Sequence, residues 1–143
     1  MDICPDHKPD IVASMTNMGD IGQYDAVYCS HALEHLRAHE VPQALSEFRR
    51  VLVPGGYAVI YVPDLEDVNP TDDLLYMTMA GAVTGSDMFY GFAAYVKDNP
   101  YMEHHSGFVE ETLVKKMKEA GFETVMARRA GYYNLLGVGV KHG

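Results

Sequence analysis

The fold is decided by residues 24–64, YDAVYCSHALEHLRAHEVPQALSEFRRVLVPGGYAVIYVPD. Tyr24–Cys29 is a β-branched and aromatic run, the composition of a strand buried on both faces. From Pro42 to Leu52 the apolar residues recur at three- and four-residue intervals, which predicts one face of a helix. Pro54-Gly55-Gly56 is predicted to end that helix, and Tyr57–Val62 forms a second apolar strand. Two buried strands joined by a helix predict a right-handed parallel βαβ unit.

The bulk composition limits the classes of function. The 143 residues carry a net charge of −9 and no cluster of Lys and Arg, which argues against a nucleic-acid partner. Cys4 and Cys29 have neither a metal-type spacing nor a disulfide framework, and we predict that Cys29 is a core thiol. No run reaches the ~18 apolar residues of a membrane span, and we expect no signal peptide. We expect a single domain, 1–143, with no membrane partner and a cytoplasmic location.

The segments outside the central unit carry weaker patterns. Pro9–Ser14 is a possible short strand. Residues 70–103 are predicted as a helical insert, in which Pro70–Asp73 begins a helix and two short helices are separated by a loop. The insert is rich in Met and aromatic residues, which suits either an adaptable binding surface or a flap that fills its own small core. Both interpretations stay open.

The end of the chain predicts a helix followed by a hairpin. Phe108–Ala120 has apolar residues on one face, and Gly121 closes it. Phe122–Ala127 and Tyr132–Val140 are predicted strands joined through a short turn.

Two segments, YDAVYCSHALEHL and FRRVLVPGGYAVIYVPD, resemble the middle of the class I S-adenosylmethionine (SAM)-dependent methyltransferases of the type-11 group. The resemblance continues through residues 107–122. It implies an α/β fold, a three-layer α/β/α Rossmann-like sheet that ends in an antiparallel hairpin. The implied strand order is Ile11–Ala13, Tyr24–Cys29, Tyr57–Val62, Tyr132–Val140, Phe122–Ala127, and Tyr132–Val140 runs antiparallel to the others.

The N-terminal part of this family's sequence pattern, with its glycine-rich turn, is not found in the sequence. No Gly-x-Gly-x-Gly is present, and Asp2 resembles the carboxylate that holds the ribose of SAM. The resemblance therefore implies an N-terminally truncated member that lacks the first strand. An unpaired strand edge is a template for pairing. We expect Ile11–Ala13 to cover the edge of Tyr24–Cys29, combined with a homodimer through the exposed sheet edge.

The resemblance also assigns the cofactor site. Ser30 and His31 lie beside the methionine end of SAM, and His31 is a candidate catalytic base, with a capping or packing role as the alternative. Met15 and Thr16 resemble the loop under the adenine, although the preceding residue is Ser14 where the family often has an acid.

Four other residues follow from the same resemblance. Glu34 and His35 match the family's L-E-H and are interpreted as structural. His104 and His105 precede the last helix, where relatives place a substrate-facing residue, and His105 is the second catalytic candidate.

A rival interpretation uses His31, Glu34 and His35 as an inverted zinc-protease pattern, H-x-x-E-H. Such a zinc hydrolase needs both histidines on one face of a helix, with a third ligand elsewhere. It stays a remote alternative, and the main interpretation assigns no metal.

The predicted function is SAM-dependent methyl transfer to an unidentified small molecule, with SAM binding weakened or lost by the absence of the glycine-rich turn. A truncated domain without catalytic activity is the alternative.

Overall fold

A computed structural model describes residues 1–143. The strands are β1 (Tyr24–Ser30), β2 (Leu52–Pro63), β3 (Leu74–Thr78), β4 (Gly81–Thr84), β5 (Thr124–Arg129) and β6 (Asn134–Val140). The α-helices are α1 (Val41–Arg50), α2 (Gly85–Tyr90), α3 (Ala93–Val96) and α4 (Glu110–Glu119). Short 3-10 turns span Pro5–His7, Leu33–His35 and Pro100–Met102. No helix is long and apolar enough to cross a membrane.

The main sheet has the order β1-β2-β6-β5. β1 pairs with β2 in parallel, and β6 is antiparallel to both β2 and β5. The α/β class, the order of these four strands and the reversed C-terminal strand are therefore confirmed. Helix α1 ends at Arg50, and Pro54-Gly55-Gly56 lies inside β2, so the predicted helix end at these residues is wrong. The pairing of β2 with β1 is irregular at this point.

One face of the sheet carries the core. Seventeen buried residues, most of them from α1, α4 and the sheet and the others from the adjoining loops and turns, form a single cluster. Helix α4 approaches β6 so closely that a methyl group added at Gly137 would lie 2.7 Å from the Leu113 Cδ2. The opposite face is open: Tyr28 is 69% and Met126 66% exposed. Helices α1 and α4 thus cover one face of the sheet.

The burial predicted for the first strand is wrong. In β1 only Cys29 is buried, and Tyr24 and Tyr28 are exposed. A β-branched and aromatic composition indicates a strand but does not determine which faces are covered, because that depends on the neighbouring elements. The predicted core thiol is confirmed for Cys29, and burial raises the pKa of this thiol to about 12.

The N-terminal segment does not cover the edge of β1. Val12 forms an isolated parallel bridge with Asp2, in which the Ala13 N–H donates to the Asp2 carbonyl (3.0 Å) and the Asp2 N–H to the Ile11 carbonyl (3.1 Å). These backbone groups therefore satisfy one another, and the predicted place of Ile11–Ala13 beside β1 is wrong. Among residues 1–143, β1 pairs only with β2.

The insert differs from the prediction as well. Pro70–Asp73 does not begin a helix, and residues 74–84 form the β3–β4 hairpin instead. Two short helices, α2 and α3, follow it. A small core of Val68, Val83 and Met88 holds these elements together, so the insert has its own packing and also faces the cavity described next.

Candidate functional site

The carboxyl end of β1 turns sharply into the site. Ser30 is exposed, and His31 has a φ of +48°, the left-handed region that residues other than glycine rarely adopt. The His31 N–H donates to the Tyr61 carbonyl (2.9 Å). Leu33 is fully buried in the core, so it anchors the Leu33–His35 turn that follows. This turn brings the side chains of Glu34 and His35 to the sheet's carboxyl edge, beside His31.

The carboxyl end of β2 is held by an ion pair. Asp64 is buried, and the Arg129 Nε–H donates to its carboxylate (2.8 Å). That hydrogen bond raises the pKa of the Arg129 guanidinium. A second donation from Arg129 reaches the Glu66 carbonyl (2.9 Å). The chain entering the insert is thus tied to β5.

The insert lines a cavity of about 420 Å³ beyond the carboxyl ends of β1 and β2, which we call the main cavity. Tyr76 of β3 stacks on Tyr133 with ring centroids 5.6 Å apart, which joins the hairpin to the β5–β6 turn. Thr84 and Asp87 form a capping box that begins α2. The apolar lining includes Tyr76, Val83, Met88, Phe92, Tyr95 and Tyr133, and the polar side includes His31, Glu34, His35 and His104.

Two backbone segments that are far apart in the sequence meet at the polar side. The His105 N–H (2.8 Å) and the Ser106 N–H (3.1 Å) both donate to the Glu34 carbonyl. As a result, Glu34, His35 and His104 each place one ligand-type atom within 4.8 Å of the others. We call these three residues the histidine–glutamate cluster. Burial lowers the pKa of His104, so its ring is neutral at pH 7.

The zinc-hydrolase pattern does not form the helix that it needs. His31 lies in the left-handed region before a single 3-10 turn. His31 and His35 therefore do not share the face of an α-helix, and that alternative is wrong. His31 instead approaches the buried Glu34, with 3.5 Å between Nδ1 and Oε1.

The predicted cofactor residues are placed in two groups. Ser30 is the last residue of β1, and His31 follows it and lines the main cavity. In the second group, the Asp2 carboxylate already accepts the Cys4 N–H (2.8 Å) and pairs with His7 Nδ1 (2.9 Å), and these hydrogen bonds lower its pKa.

The adenine-loop residues make internal contacts. Met15 packs against the main core, and the Thr16 hydroxyl lies 2.8 Å from the Ser14 hydroxyl. The residues present thus fit SAM in part. The carboxyl end of β1 borders the main cavity at His31, whereas the Asp2 carboxylate is already engaged by Cys4 and His7, and no glycine-rich turn supplies backbone donors.

The two predicted catalytic histidines do not share a cavity. His105 lines a second, shallower cavity with Phe89 and Thr112, and its Nε2 lies 3.7 Å from the Glu103 carboxylate. His104 lines both cavities. Sequence reasoning missed Tyr76 and Tyr133, because no pattern in the insert indicated the hairpin that brings them together.

Comparison with known proteins assigns the fold. Residues 2–127 match a family model described as a methyltransferase domain. No curated protein sequence matches the chain. The 1,6-didemethyltoxoflavin-N1-methyltransferase of Burkholderia thailandensis, solved with 1,6-didemethyltoxoflavin and S-adenosylhomocysteine, is 16% identical, with 93% of this chain and 50% of that chain covered and a TM-score of 0.59.

Two further structures share the fold. Human N-acetylserotonin methyltransferase, solved with SAM, is 10% identical and has a TM-score of 0.59, with 92% of this chain and 33% of that chain covered. The N-methyltransferase NodS of Bradyrhizobium japonicum, solved with S-adenosylhomocysteine, is 14% identical and has a TM-score of 0.52, with 92% of this chain and 53% of that chain covered. The chain therefore spans about a third to a half of the length of these proteins.

Proposed function

Because the chain belongs to the methyltransferase-domain family, we propose that it serves SAM-dependent methyl transfer to a small molecule bound in the main cavity. The observation that carries this proposal is the position of the cavity, beyond the carboxyl ends of β1 and β2. Open α/β sheets bind their ligands at this edge. A volume of about 420 Å³ falls within the usual range for small-molecule sites.

The residues have separate roles in this proposal. SAM supplies the activated methyl group when bound, and the protein's main contribution is to place the two reactants. Asp2 would hold the ribose, Met15 and Thr16 would lie under the adenine, and Ser30 and His31 would border the methionine end. His31 also accepts the proton of a hydroxyl or acidic acceptor, since its ring borders the cavity. His105 is the base only for an acceptor that reaches the second cavity.

The test is a calorimetric titration of the 143-residue chain with S-adenosylhomocysteine. We expect micromolar to low-millimolar binding that weakens on Asp2→Asn. The matched control is Asp6→Asn, an exposed carboxylate in the same loop. Equal binding by wild type and Asp2→Asn would remove Asp2 from the cofactor site, and no heat at millimolar ligand would refute SAM binding by this chain.

A second candidate, a domain that folds without binding SAM, is favoured by the contacts of Asp2. Its carboxylate is engaged by Cys4 and His7, so a ribose would have to displace His7. Each backbone hydrogen bond to a charged group contributes roughly 1.5–3 kcal/mol. The absence of two or three such donors changes a micromolar ligand to a millimolar one, a difference of about 4 kcal/mol.

We also propose a homodimer in the cytoplasm, formed through the free edge of β1. This edge has no strand partner among residues 1–143, and Tyr28 beside it is largely exposed. Size-exclusion chromatography with light scattering tests this proposal. A mass near 15.9 kDa at high protein concentration would exclude the dimer.

A further inference from the structure

Glu34 is a buried acid whose carboxylate is only partly satisfied. Its side chain is 2% exposed, and Oε2 has no hydrogen-bond partner. The other oxygen, Oε1, lies 3.5 Å from His31 Nδ1. Buried polar atoms are nearly always hydrogen-bonded, so an exception calls for an explanation such as an ion. Glu34 also lines the main cavity, which gives an ion a route to it.

The two histidine rings of the cluster are held so that each leaves one nitrogen free. The His35 Nδ1 is 2.9 Å from the Glu103 carbonyl oxygen, and the His104 Nδ1 is 2.9 Å from the Met88 carbonyl oxygen. A carbonyl oxygen only accepts, so in the neutral imidazole each Nδ1 carries the proton and each Nε2 keeps its lone pair. A backbone carbonyl on the second nitrogen is the arrangement that orients metal-binding histidines.

We propose that Glu34, His35 and His104 bind a divalent transition-metal ion, with zinc as the first choice. Two imidazoles and one carboxylate are a common donor set for zinc. Tetrahedral coordination at about 2.0–2.1 Å separates ligand atoms by roughly 3.4 Å. The ligand atoms of the cluster lie within 4.8 Å of one another, so small side-chain rotations complete the site.

The fourth position of this site faces the main cavity, because all three ligands line it. Three protein ligands with an open position are typical of zinc sites that engage a water or a substrate atom rather than of purely structural ones. The ligand set differs from the H-x-x-E-H pattern, since His104 takes the place of His31. The proposal does not depend on SAM binding and goes beyond the proposed methyl transfer.

The experiment is a titration of the metal-stripped full chain with zinc, followed by calorimetry, with cobalt(II) absorption as a second readout. We expect one ion per chain at micromolar affinity or tighter. Glu34→Gln and His104→Gln should each weaken zinc binding on the order of 100-fold. Loss of a residue that only hydrogen-bonds to a metal ligand already weakens binding by up to about that factor. The matched control is His39→Gln, an exposed histidine outside the cluster, which should bind as wild type does.

Circular dichroism establishes that each variant is folded, and if Glu34→Gln is not, His104→Gln decides alone. Failure of the wild type to bind zinc stoichiometrically at 100-fold excess over protein overturns the proposal. Binding that survives in a folded His104→Gln variant also overturns it, because the ion then lies elsewhere. Loss of S-adenosylhomocysteine binding in the separate titration leaves this result unaffected, so the two proposals fail independently.

Discussion

Replacing Glu34 by Gln should stabilise the metal-free protein, although core substitutions usually destabilise. The Glu34 side chain is 2% exposed, and its Oε2 lacks any hydrogen-bond partner. A buried acceptor without a partner retains its full desolvation penalty. Glutamine keeps the shape of the side chain and removes the charge, and its amide can donate toward the free nitrogens of His35 and His104.

The magnitude follows from the number of unsatisfied atoms. One buried unsatisfied polar atom costs about 1–3 kcal/mol. We therefore expect the free energy of unfolding of Glu34→Gln to exceed that of wild type by this amount in the presence of a chelator. For a chain of this size each kcal/mol raises the melting temperature by about 2–4 °C.

Urea denaturation with a chelator present measures the difference, and the exposed Glu66→Gln is the control that should leave stability unchanged. Zinc at 100 times its dissociation constant should offset most or all of this difference, because it stabilises the wild type by about 2.7 kcal/mol. The reasoning is refuted if metal-free Glu34→Gln is less stable than wild type by more than about 1 kcal/mol. That result would mean that the carboxylate anchors the Leu33–His35 turn, as the sequence interpretation of Glu34 holds.

Two further predictions concern the scaffold. Gly139→Ala should lower the free energy of unfolding by about 1–3 kcal/mol, because its methyl group would lie 2.7 Å from the nearest side-chain atom. Urea denaturation measures the change. The control is Gly143→Ala, which has no atom within 4 Å of the added methyl group and should match wild type. The His142 N–H and the Arg49 guanidinium lower the pKa of Glu123 from 4.5 to about 2. The contribution of the Glu123 carboxylate to stability is therefore present above about pH 4.5 and lost as the pH falls to about 2. The deficit of Glu123→Gln should shrink over that window, and a constant deficit from pH 7 to pH 2 would contradict the assignment.

The central βαβ unit was predictable because its signals are local. The helical stripe of α1 and the apolar run of β2 each lie within a dozen residues, and parallel pairing follows from the helical connection. The antiparallel direction of β6 was predicted from the family resemblance, since nothing in the residues of β6 indicates its direction. The burial of β1 was not predictable from its composition, because the same residues suit a covered or an open face.

The β3–β4 hairpin escaped prediction for a chemical reason. Its turn, Met79-Ala80 between Thr78 and Gly81, lacks the Asn-Gly or Asp-Gly pair that is typical of two-residue hairpins. The sequence of β3, Leu74-Leu75-Tyr76-Met77-Thr78, also contains good helix formers. The two interpretations of the insert, a binding surface or a flap with its own small core, do not exclude each other. Met88 belongs to the small core and lines the cavity as well.

The polar site illustrates why a linear pattern pairs the wrong residues. The sequence places His31 and His35 four positions apart, a spacing that serves a metal only on a helix. The chain instead bends at His31, and the ring that joins His35 is His104, with 5.1 Å between the ring centroids. Backbone hydrogen bonds from His105 and Ser106 to the Glu34 carbonyl fix this contact. The cluster is therefore a product of the insert's return to the β1 edge, and the same return closes the cavity above it.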